Sequence, residues 1–479
     1  MLARATTFAL VGLVPHRIEV EAHIRDAVPA FKLIGLADRA CQEAKERVWK
    51  AIKSAGLRWP GVATVNLAPA QLKKEGSAFD LPIALAILAA SGQVPREQLA
   101  EHAACGELGL DGGLRRIAGV IAVADGARRG GIRRLLCPRA AASEAALAGI
   151  EPVGVSHLAE AVAYLRGEID APPFSAGNGR SRRRPPDLAD VRGQERARRA
   201  LELAAAGRHN ILLGGPPGIG KSMLARRLPG LLPQLEPDQA LEVTCIHSVA
   251  GLVDPEHPLV DQPPFRSPHH SASTAALVGG GPRLRPGEAS LAHRGVLLLD
   301  ELAEFQRGSL EALRQPIEDG EITVARAAGS VRFPARFQLV GTMNLCPCGA
   351  RGDPQQQCAC TPQRLAAYRA KLSRALLDRF DLVVTVPRPR ATELQARDGE
   401  ATEIVRGRVL AGRERLAVSP PPRTPAADGF LSSAVDRLPL SGRGRAKVAA
   451  VARTIAALAE SECVSPEHIA EALTYRAQA

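Results

Sequence analysis

The sequence contains few aromatic residues and no long apolar run. Aromatic side chains account for only 3% of the 479 residues. Stacking of bases on aromatic side chains is therefore not expected to be the main source of nucleic-acid affinity. The longest apolar stretch without a charge, residues 81–94, is interrupted by proline, serine, glycine and glutamine. It is too short to span a bilayer, so we predict a core helix there and no membrane partner.

We also expect no secretory signal, because the first residues are followed by a short segment of mixed polarity. Without a secretory context, the nine cysteines do not indicate a disulfide framework. We therefore expect a cytoplasmic protein, long enough for two or three domains with sizeable cores.

The net charge is strongly positive, at +12. This charge favours a polyanionic partner that is held through its phosphates by arginine and lysine. A GC-rich codon bias, which enriches arginine, is an alternative explanation of the same composition.

The most informative stretch begins after the apolar run 210–213 and leads into a predicted helix at residue 223. Glycines in this pattern let successive backbone N–H groups face a phosphate, and the helix adds its positive end. Lys221 would reach the β- and γ-phosphates of ATP, and the Ser222 hydroxyl would hold Mg²⁺. A glycine-rich turn of chance composition is the alternative, but the strand and helix flanks argue against it. The predicted phosphate-binding residues are Gly215, Pro216, Pro217, Gly218, Ile219, Gly220, Lys221 and Ser222.

A second motif, at residues 295–301, is an apolar run that ends in two carboxylates. Such a run predicts a strand buried on both faces, and ligands bind at the carboxyl end of such strands. Asp300 would hold Mg²⁺ and its water, and Glu301 would orient and deprotonate the attacking water. Two acidic residues that cap an exposed helix are the alternative.

The periodicity of the chain indicates an α/β protein in several parts. Residues 1–170 are mixed, with strands predicted at 17–24 and 62–67 and helices at 38–55 and 80–90. The domains are predicted at 1–170, at 187–389 for the phosphate-loop module and at 390–479 for a helical region, with a Pro/Gly/Arg linker at 171–186. The linker arginines would either touch nucleic acid or be solvated.

Beyond the carboxylates, residues 320–336 predict a β-hairpin, and residues 337–344 predict a buried strand that ends at Asn344. Asn344 would emerge beside the carboxylates and orient water. Arg379 lies between two aspartates at the start of another strand. In the helical region, helices are predicted over 445–460 and after Ser465, which is an N-cap followed by proline.

Taken in order, these motifs resemble the AAA+ ATPases, and more narrowly the magnesium-chelatase-like branch. The resemblance to the ComM/YifB family covers almost the whole chain, because the segments at 34–38, 43–48, 65–70 and 74–84 are shared. A chelatase I subunit would lack that N-terminal domain. The resemblance implies an AAA+ core, a helical C-terminal lid, and an N-terminal α+β domain similar in fold to the Lon protease domain. Gly76–Phe79 departs from the Lon serine signature, so proteolysis is not expected.

The resemblance also implies roles for individual residues. Lys221, Ser222, Asp300 and Glu301 form the two Walker motifs, and Asn344 is sensor 1. Arg379 is the finger that enters a neighbouring subunit's site, and Arg443 is the sensor 2 arginine, with Arg445 as the alternative. Residues 265–270 and 279–281 match an insert that faces the pore of the ring. The adjacent His269 and His270 are expected to point apart and not to form a metal pair.

Four of the nine cysteines lie within fifteen positions directly after sensor 1. Four thiolates would close a tetrahedral structural zinc site, whereas a reduced cysteine-rich loop is the alternative. The candidate ligands are Cys346, Cys348, Cys358 and Cys360.

These expectations combine into one hypothesis, which is an ATP-hydrolysing homo-hexamer that moves along single-stranded or branched DNA. By resemblance, its task is branch migration in homologous recombination of incoming DNA, with recombination proteins as partners. The hairpin arginines Arg326, Arg332 and Arg336 are expected to grip DNA phosphates. Two alternatives stay open: a magnesium chelatase I-type ATPase subunit, and an ATP-gated scaffold that remodels a protein partner.

Overall fold

A computed structural model describes residues 1–35, 38–174, 185–281, 284–326, 329–395, 399–438 and 440–476. The chain forms two compact units, one of Met1–Ser181 with Glu236–Asp261 and one of Arg182–Leu235 with Gln262–Ala479. None of the helices in the described ranges is both long enough and apolar enough to cross a membrane. Most of the linker predicted at 171–186, including its arginines, lies outside the described residues.

The strands of the described chain alternate with helices and short loops. They are β1 (Leu2–Val11), β2 (Val14–Arg25), β3 (Ala30–Ile34), β4 (Val62–Ala68), β5 (His102–Ala104), β6 (Glu107–Leu108), β7 (Leu114–Arg115), β8 (Arg134–Pro138), β9 (Glu151–Val155), β10 (Ile211–Gly214), β11 (Phe265–Arg266), β12 (Val296–Leu299), β13 (Glu321–Arg326), β14 (Gly329–Pro334), β15 (Gln338–Met343) and β16 (Leu382–Thr385).

The helices are 4 to 17 residues long and are longest near the carboxyl end of the chain. They are α1 (Arg39–Gln42), α2 (Ala44–Ser54), α3 (Asp80–Ala90), α4 (Arg96–Ala100), α5 (Val120–Arg129), α6 (Ala142–Ala146), α7 (Leu158–Leu165), α8 (Glu195–Gly207), α9 (Lys221–Ala225), α10 (Leu228–Leu231), α11 (Pro237–Val249), α12 (Thr274–Val278), α13 (Glu288–Leu291), α14 (Arg307–Ala312), α15 (Arg314–Asp319), α16 (Pro362–Ala370), α17 (Arg374–Leu377), α18 (Ala391–Leu394), α19 (Thr402–Val418), α20 (Pro425–Arg437), α21 (Gly442–Leu458) and α22 (Pro466–Thr474).

The first unit is built on a mixed sheet in the order β3-β4-β2-β1-β5-β8-β9. β2 pairs antiparallel with β1 and β4, and the other neighbours are parallel. Helix α3, predicted from its apolar sequence, is buried along its whole length and packs against β1, β2 and α2. The strands predicted at 17–24 and 62–67 are confirmed as β2 and β4, whereas the helix predicted over 38–55 is divided into α1 and α2.

One segment that was predicted inside the phosphate-loop module belongs to the first unit. Residues 236–261 carry helix α11, which packs against α5 of that unit. The backbone N–H of Gly119 donates to the Ser248 carbonyl at 3.0 Å, and Arg116 donates to the Val253 carbonyl at 2.6 Å. The Ser248 hydroxyl donates to the buried Glu144 carboxylate. Alternating strand and helix patterns do not reveal such an excursion, because they report local structure and not packing partners.

The second unit contains a parallel five-stranded sheet in the order β11-β12-β15-β10-β16. The strands on either side of the central β15, namely β10 and β12, are fully buried, as their uninterrupted apolar sequences predicted. Because all five strands are parallel, their carboxyl ends lie at one edge of the sheet. The loops that follow β10, β12 and β15 therefore meet at this edge.

The helical region predicted as a separate domain at 390–479 belongs to the second unit. Side chains of α19, α21 and α22, among them Val405, Val448 and Ile469, share one apolar core with Ile211 and Leu213 of the sheet. The predicted helix over 445–460 is confirmed as α21, and the one after Ser465 as α22. The hairpin predicted at 320–336 is confirmed as β13 and β14, whose turn residues 327–328 lie outside the described residues.

Asp80 and Arg47 form a charged pair in the first unit. The Asp80 side chain is fully buried at the start of α3, and Arg47 of α2 donates to both of its carboxylate oxygens, at 2.6 and 3.0 Å. The backbone N–H of Leu108 donates to the same carboxylate at 3.2 Å. Burial raises the pKa of Asp80, and the Arg47 guanidinium opposes that rise. The arginine thus compensates for the desolvation of a buried carboxylate.

We predict that Arg47→Leu destabilises the first unit by about 3–5 kcal/mol, because it leaves a buried carboxylate without its cation. The loss should shrink as the pH falls, since a protonated Asp80 needs no cation. Urea unfolding followed by tryptophan fluorescence measures this, because Trp49 and Trp59, the two tryptophans of the chain, stack at 4.4 Å in this unit.

The matched control is Arg17→Leu, which removes an exposed pair with Glu19 at 3.8 Å and should change stability by less than about 1 kcal/mol. Equal destabilisation by the two variants, or a loss independent of pH, would contradict the prediction.

Candidate nucleotide-binding site

The loop between β10 and α9 has the backbone shape that the glycine pattern predicts. Gly218 and Gly220 have φ angles of 75° and 90°, in the left-handed region that favours glycine. This shape turns the loop into the first residue of α9, which is Lys221. The N-terminus of α9 and the backbone N–H groups of the loop thus form a site suited to an anion.

The Lys221 ammonium is buried at the centre of the site. It donates to the carbonyls of Gly215 and Pro216, at 2.9 and 2.7 Å, and to Oδ1 of Asn344, at 3.1 Å. Burial lowers the pKa of Lys221, and the carboxylates of Asp300 and Glu301 oppose this shift. The lysine thus joins the phosphate loop to the end of β15.

Asp300, which follows β12, connects three elements through one oxygen atom. Its Oδ1 accepts a hydrogen bond from the Ser222 hydroxyl at 2.8 Å and another from the Thr342 hydroxyl at 2.5 Å. Ser222 and Asp300 therefore lie together, as predicted for a pair that would hold Mg²⁺. Both supply oxygen atoms, which are the ligands that Mg²⁺ prefers.

Glu301 has an unusual backbone conformation, with a φ angle of 55°. Its N–H donates to the Thr342 hydroxyl at 3.0 Å, so Thr342 holds both carboxylate residues of the motif. A non-glycine residue in the left-handed region costs about 1–3 kcal/mol, and such strain is concentrated at functional sites. The Glu301 side chain is 62% exposed, and it therefore extends from the sheet edge toward solvent.

The expectation that His269 and His270 point apart is wrong. Their ring centroids are only 4.1 Å apart, because the two residues lie in a loop and not in a regular strand or helix. His270 Nδ1 lies 3.7 Å from Oε2 of Glu301, and its ring meets Phe305 edge to face. This predicted pore-facing insert therefore contacts the residue expected to activate water.

Asn344 lies directly after β15, where the sequence placed it. Its side-chain oxygen accepts from Lys221, and its carbonyl accepts from the Tyr368 hydroxyl at 3.1 Å. Burial raises the pKa of Tyr368 to about 12, so this hydroxyl remains a donor at neutral pH. The structure thus brings Lys221, Ser222, Asp300, Glu301 and Asn344 to one edge of the sheet.

Thr342 is the member of this site that sequence reasoning missed. Its signal was available, because Thr342 and Asn344 are two positions apart at the end of one strand, and such residues share a face. No pattern in the sequence indicated the contact between His270 and Glu301.

The two arginines assigned by resemblance, Arg379 and Arg443, both contact Glu318 and not the phosphate loop. The side chain of Arg379 is only 7% exposed, and its NH2 lies 2.5 Å from Oε1 of Glu318. Arg443, which is 65% exposed, reaches the same oxygen at 3.4 Å. Among the described residues, no ion pair includes Arg445. Sequence reasoning missed Glu318, because nothing local marks it as a partner of residues 61 and 125 positions away.

The hairpin residues expected to contact DNA are solvent-exposed where they are described. Arg332 is 74% exposed and lies 3.8 Å from Glu321 on the opposite strand. Arg336, which is also exposed, follows the hairpin. The side chain of Arg326 lies outside the described residues.

The four predicted cysteines form a compact group. The Sγ atoms of Cys346 and Cys348 are 3.4 Å apart, and Cys358 lies 3.6 and 3.7 Å from Cys348 and Cys346. With Cys360 included, all four Sγ atoms lie within 4.8 Å of one another. In the described chain this is the one group of three or more histidine, cysteine, aspartate or glutamate side chains that could hold a metal ion.

The loop that carries the four cysteines (residues 346–360, the cysteine loop) packs against the phosphate loop (residues 215–222). A Cβ atom on Gly349 would lie 2.9 Å from Cδ of Pro217. Gly349 also has a φ angle of 81°, so both its conformation and its surroundings require glycine. The shape of the cysteine loop therefore affects the position of the phosphate loop.

Comparison with known proteins agrees with this architecture. The family model for the magnesium chelatase subunit ChlI matches residues 187–394, a second ChlI model matches residues 20–141, and the model of the ChlI C-terminal region matches residues 417–476. These three matches fall in both units.

Similarity to individual proteins extends over nearly the whole chain. An uncharacterized protein of Mycobacterium tuberculosis is 44% identical, with 99% of this chain and 98% of the relative covered. Competence protein ComM of Haemophilus influenzae is 41% identical, with 99% and 97% covered. Uncharacterized protein YifB of Escherichia coli is 41% identical, with 98% and 96% covered. Together with the site geometry, these similarities show that the chain belongs to the ComM/YifB family of magnesium-chelatase-like AAA+ proteins.

Proposed function

We propose that this protein is an ATP-hydrolysing motor that assembles as a homo-hexamer and drives branch migration of DNA during homologous recombination. The observation that carries the proposal is the convergence of Lys221, Ser222, Asp300, Glu301 and Asn344 at one sheet edge. The name of the Haemophilus relative, competence protein ComM, favours a role in the recombination of incoming DNA.

In this function, each side chain of the edge has a separate task. Lys221 binds the terminal phosphates of ATP through its ammonium group. Glu301 accepts a proton from the attacking water, and Asn344 orients that water. Thr342 fixes the backbone from which Glu301 extends, since its hydroxyl accepts from the Glu301 N–H.

The oxygen atoms of Ser222 and Asp300 fit a bound Mg²⁺, because they lie 2.8 Å apart beside the phosphate loop. When bound, Mg²⁺ would neutralise charge on the ATP phosphates. The residues that would hold it are already fixed by their hydrogen bond and by Thr342.

Arg379 would complete the site of a neighbouring subunit. Within its own chain it contacts Glu318 and not Lys221 or Glu301. An arginine that acts on a neighbour's terminal phosphate stabilises the charge of the transition state. The helices α19–α22 would then act as the lid through which Arg443 senses nucleotide, and the first unit would have the Lon-like fold expected from the family.

We predict that Lys221→Ala and Arg379→Ala are each inactive but recover ATPase activity when mixed. In a mixed ring, some interfaces pair an intact phosphate loop with an intact finger. Loss of a finger of this kind reduces turnover by about 10³-fold or more. The measurement is the steady-state ATPase rate of each variant and of an equimolar mixture after subunit exchange.

The control is a mixture of Lys221→Ala with Glu301→Gln. These two residues serve the same chain's site, so no interface in that mixture is complete and no activity should return. A mixture of Lys221→Ala and Arg379→Ala that stays inactive, although its subunits exchange, would contradict the trans assignment.

The hairpin of β13 and β14 is the proposed DNA contact. Arg332 extends into solvent from an antiparallel pair within the same unit as the ATP site. With few aromatic residues available, phosphate contacts by arginine supply the affinity, and such contacts weaken with salt.

We predict that single-stranded DNA stimulates the ATPase and that the stimulation fades as salt rises. Arg332→Ala should weaken DNA binding and reduce the salt slope by about 1, while the DNA-free ATPase rate stays unchanged. Fluorescence anisotropy and ATPase assays across a salt series measure both effects.

Arg437→Ala removes an exposed arginine from the end of α20 and is the matched control, expected to bind DNA normally. Unchanged DNA binding in Arg332→Ala would place the DNA path elsewhere. Stimulation by a protein partner alone would favour the remodelling scaffold.

The cysteine group fits a structural Zn²⁺. Tetrahedral zinc with Zn–S bonds of about 2.3 Å requires sulfur atoms about 3.8 Å apart, close to the observed 3.4–3.7 Å. The backbone N–H of Ala350 lowers the pKa of Cys348 to about 6, which favours the thiolate that binds metal. Four protein ligands leave no open position, so the role of the metal would be structural.

We predict one zinc ion per purified chain, lost in Cys348→Ser. Because the cysteine loop packs on Pro217, this variant should also bind ATP more weakly than the wild type. Elemental analysis and nucleotide titration measure these effects. Cys463→Ser, a thiol outside the group, should keep both zinc and affinity. Zinc-free protein with normal ATP affinity would contradict this assignment.

A further inference from the structure

The carboxylate of Glu318 lies between the two arginines that the proposed function assigns to ATP hydrolysis. Its Oε1 is 2.5 Å from NH2 of Arg379 and 3.4 Å from NH2 of Arg443. Glu318 is itself 45% exposed, whereas the Arg379 side chain is only 7% exposed. One carboxylate oxygen therefore pairs with a buried arginine, Arg379, and with an exposed one, Arg443.

Arg379 is withdrawn into its own chain. Its NH1 donates to the Ala375 carbonyl at 3.1 Å, and its NH2 pairs with Glu318. Its Nε is buried and has no hydrogen-bond partner among the described residues. A guanidinium that contacts a second chain's phosphate must lie at the surface, so this buried position is incompatible with action in trans.

The aspartates that flank Arg379 do not hold it in place. Asp378 pairs with Arg476 at 3.2 Å, and Asp381 pairs with Lys447 at 2.8 Å. Glu318 is thus the carboxylate that the described structure offers to Arg379. The position of this arginine depends on a residue of helix α15 and not on its own sequence neighbours.

Helix α15 leads directly into the hairpin. It ends at Asp319, and Gly320, with a φ angle of 71°, turns the chain into β13. The other end of the hairpin is tied to the same point, because the Ala335 N–H donates to the Gly320 carbonyl at 2.8 Å. A displacement of the hairpin therefore acts on Glu318 through only two residues.

From these contacts we propose that Glu318 is a latch: it holds Arg379 in a withdrawn position, and binding of a nucleic-acid backbone to the hairpin releases it. This proposal rests on the proposed function of Arg379 as a trans-acting finger. The latch is the close ion pair between the Glu318 carboxylate and the withdrawn Arg379 guanidinium, at 2.5 Å. Movement of α15 separates this pair, and Arg379 becomes available to the neighbouring site. The nucleic acid would bind the hairpin more tightly in the released position than in the latched one, and this difference in affinity would shift the equilibrium toward release.

The test is Glu318→Gln in the full-length protein. The amide keeps the shape but removes the charge, so Arg379 loses its counter-ion and is repelled by Arg443. We expect kcat without DNA to rise by roughly 5-fold or more, the lower end of typical allosteric coupling, with the KM for ATP unchanged. The addition of single-stranded DNA should then stimulate the variant less than the wild type.

Asp319→Asn is the matched control. It removes an adjacent exposed carboxylate that has no ion pair among those of the described residues, and its rates should equal those of the wild type. A second variant, Glu318→Asp, keeps the charge on a shorter side chain and should raise kcat less than Glu318→Gln. A structural defect would lower kcat and would not raise it.

The double variant Glu318→Gln/Arg379→Ala separates the latch from the proposed function. If Arg379→Ala alone is inactive and complementable in mixed rings, an unchanged or lowered DNA-free rate in Glu318→Gln overturns the latch only. If the gain in Glu318→Gln persists without Arg379, the latch is also overturned, because the gain does not pass through the finger. If Arg379→Ala is fully active, both proposals fail.

Discussion

A single oxygen atom, Oδ1 of Asp300, joins the elements on which the nucleotide site depends. It accepts from Ser222 at the start of α9 and from Thr342 at the end of β15, while Asp300 itself follows β12. These three elements meet because their strands are parallel neighbours of one buried sheet. The phosphate loop, the carboxylates and Asn344 are therefore positioned by strand pairing and apolar burial, and one shared hydrogen-bond acceptor fixes their final geometry.

The site is supported from two sides by segments that are not part of the sheet. The cysteine loop packs on Pro217 of the phosphate loop, and His270 of the preceding insert lies beside Glu301. Each contact joins part of the candidate nucleotide site to a segment with a different expected role, namely metal binding or contact with the pore. A change in either segment therefore alters the site through packing, without any change in the residues that would touch ATP.

The chain keeps apart the two groups of residues that we propose act in ATP hydrolysis. Lys221 and Glu301 lie at the sheet edge, whereas Arg379 and Arg443 meet at Glu318. Under the proposed function, one chain would contain both halves of a catalytic site without combining them. This separation would make hydrolysis depend on assembly, and the link from Glu318 to the hairpin through α15 would extend that dependence to a bound nucleic acid.

Local sequence determined the strands, the phosphate loop and the positions of Asp300, Glu301 and Asn344, because apolar runs and glycine conformations are encoded within a few residues. It also determined the buried helix α3 and the capped helix α22. Only the tertiary structure decided which units residues 236–261 and the C-terminal helices belong to, since packing partners lie far away in sequence. For the same reason, only the tertiary structure brought Glu318 to Arg379 and Arg443, because a long-range ion pair leaves no periodic pattern in the chain.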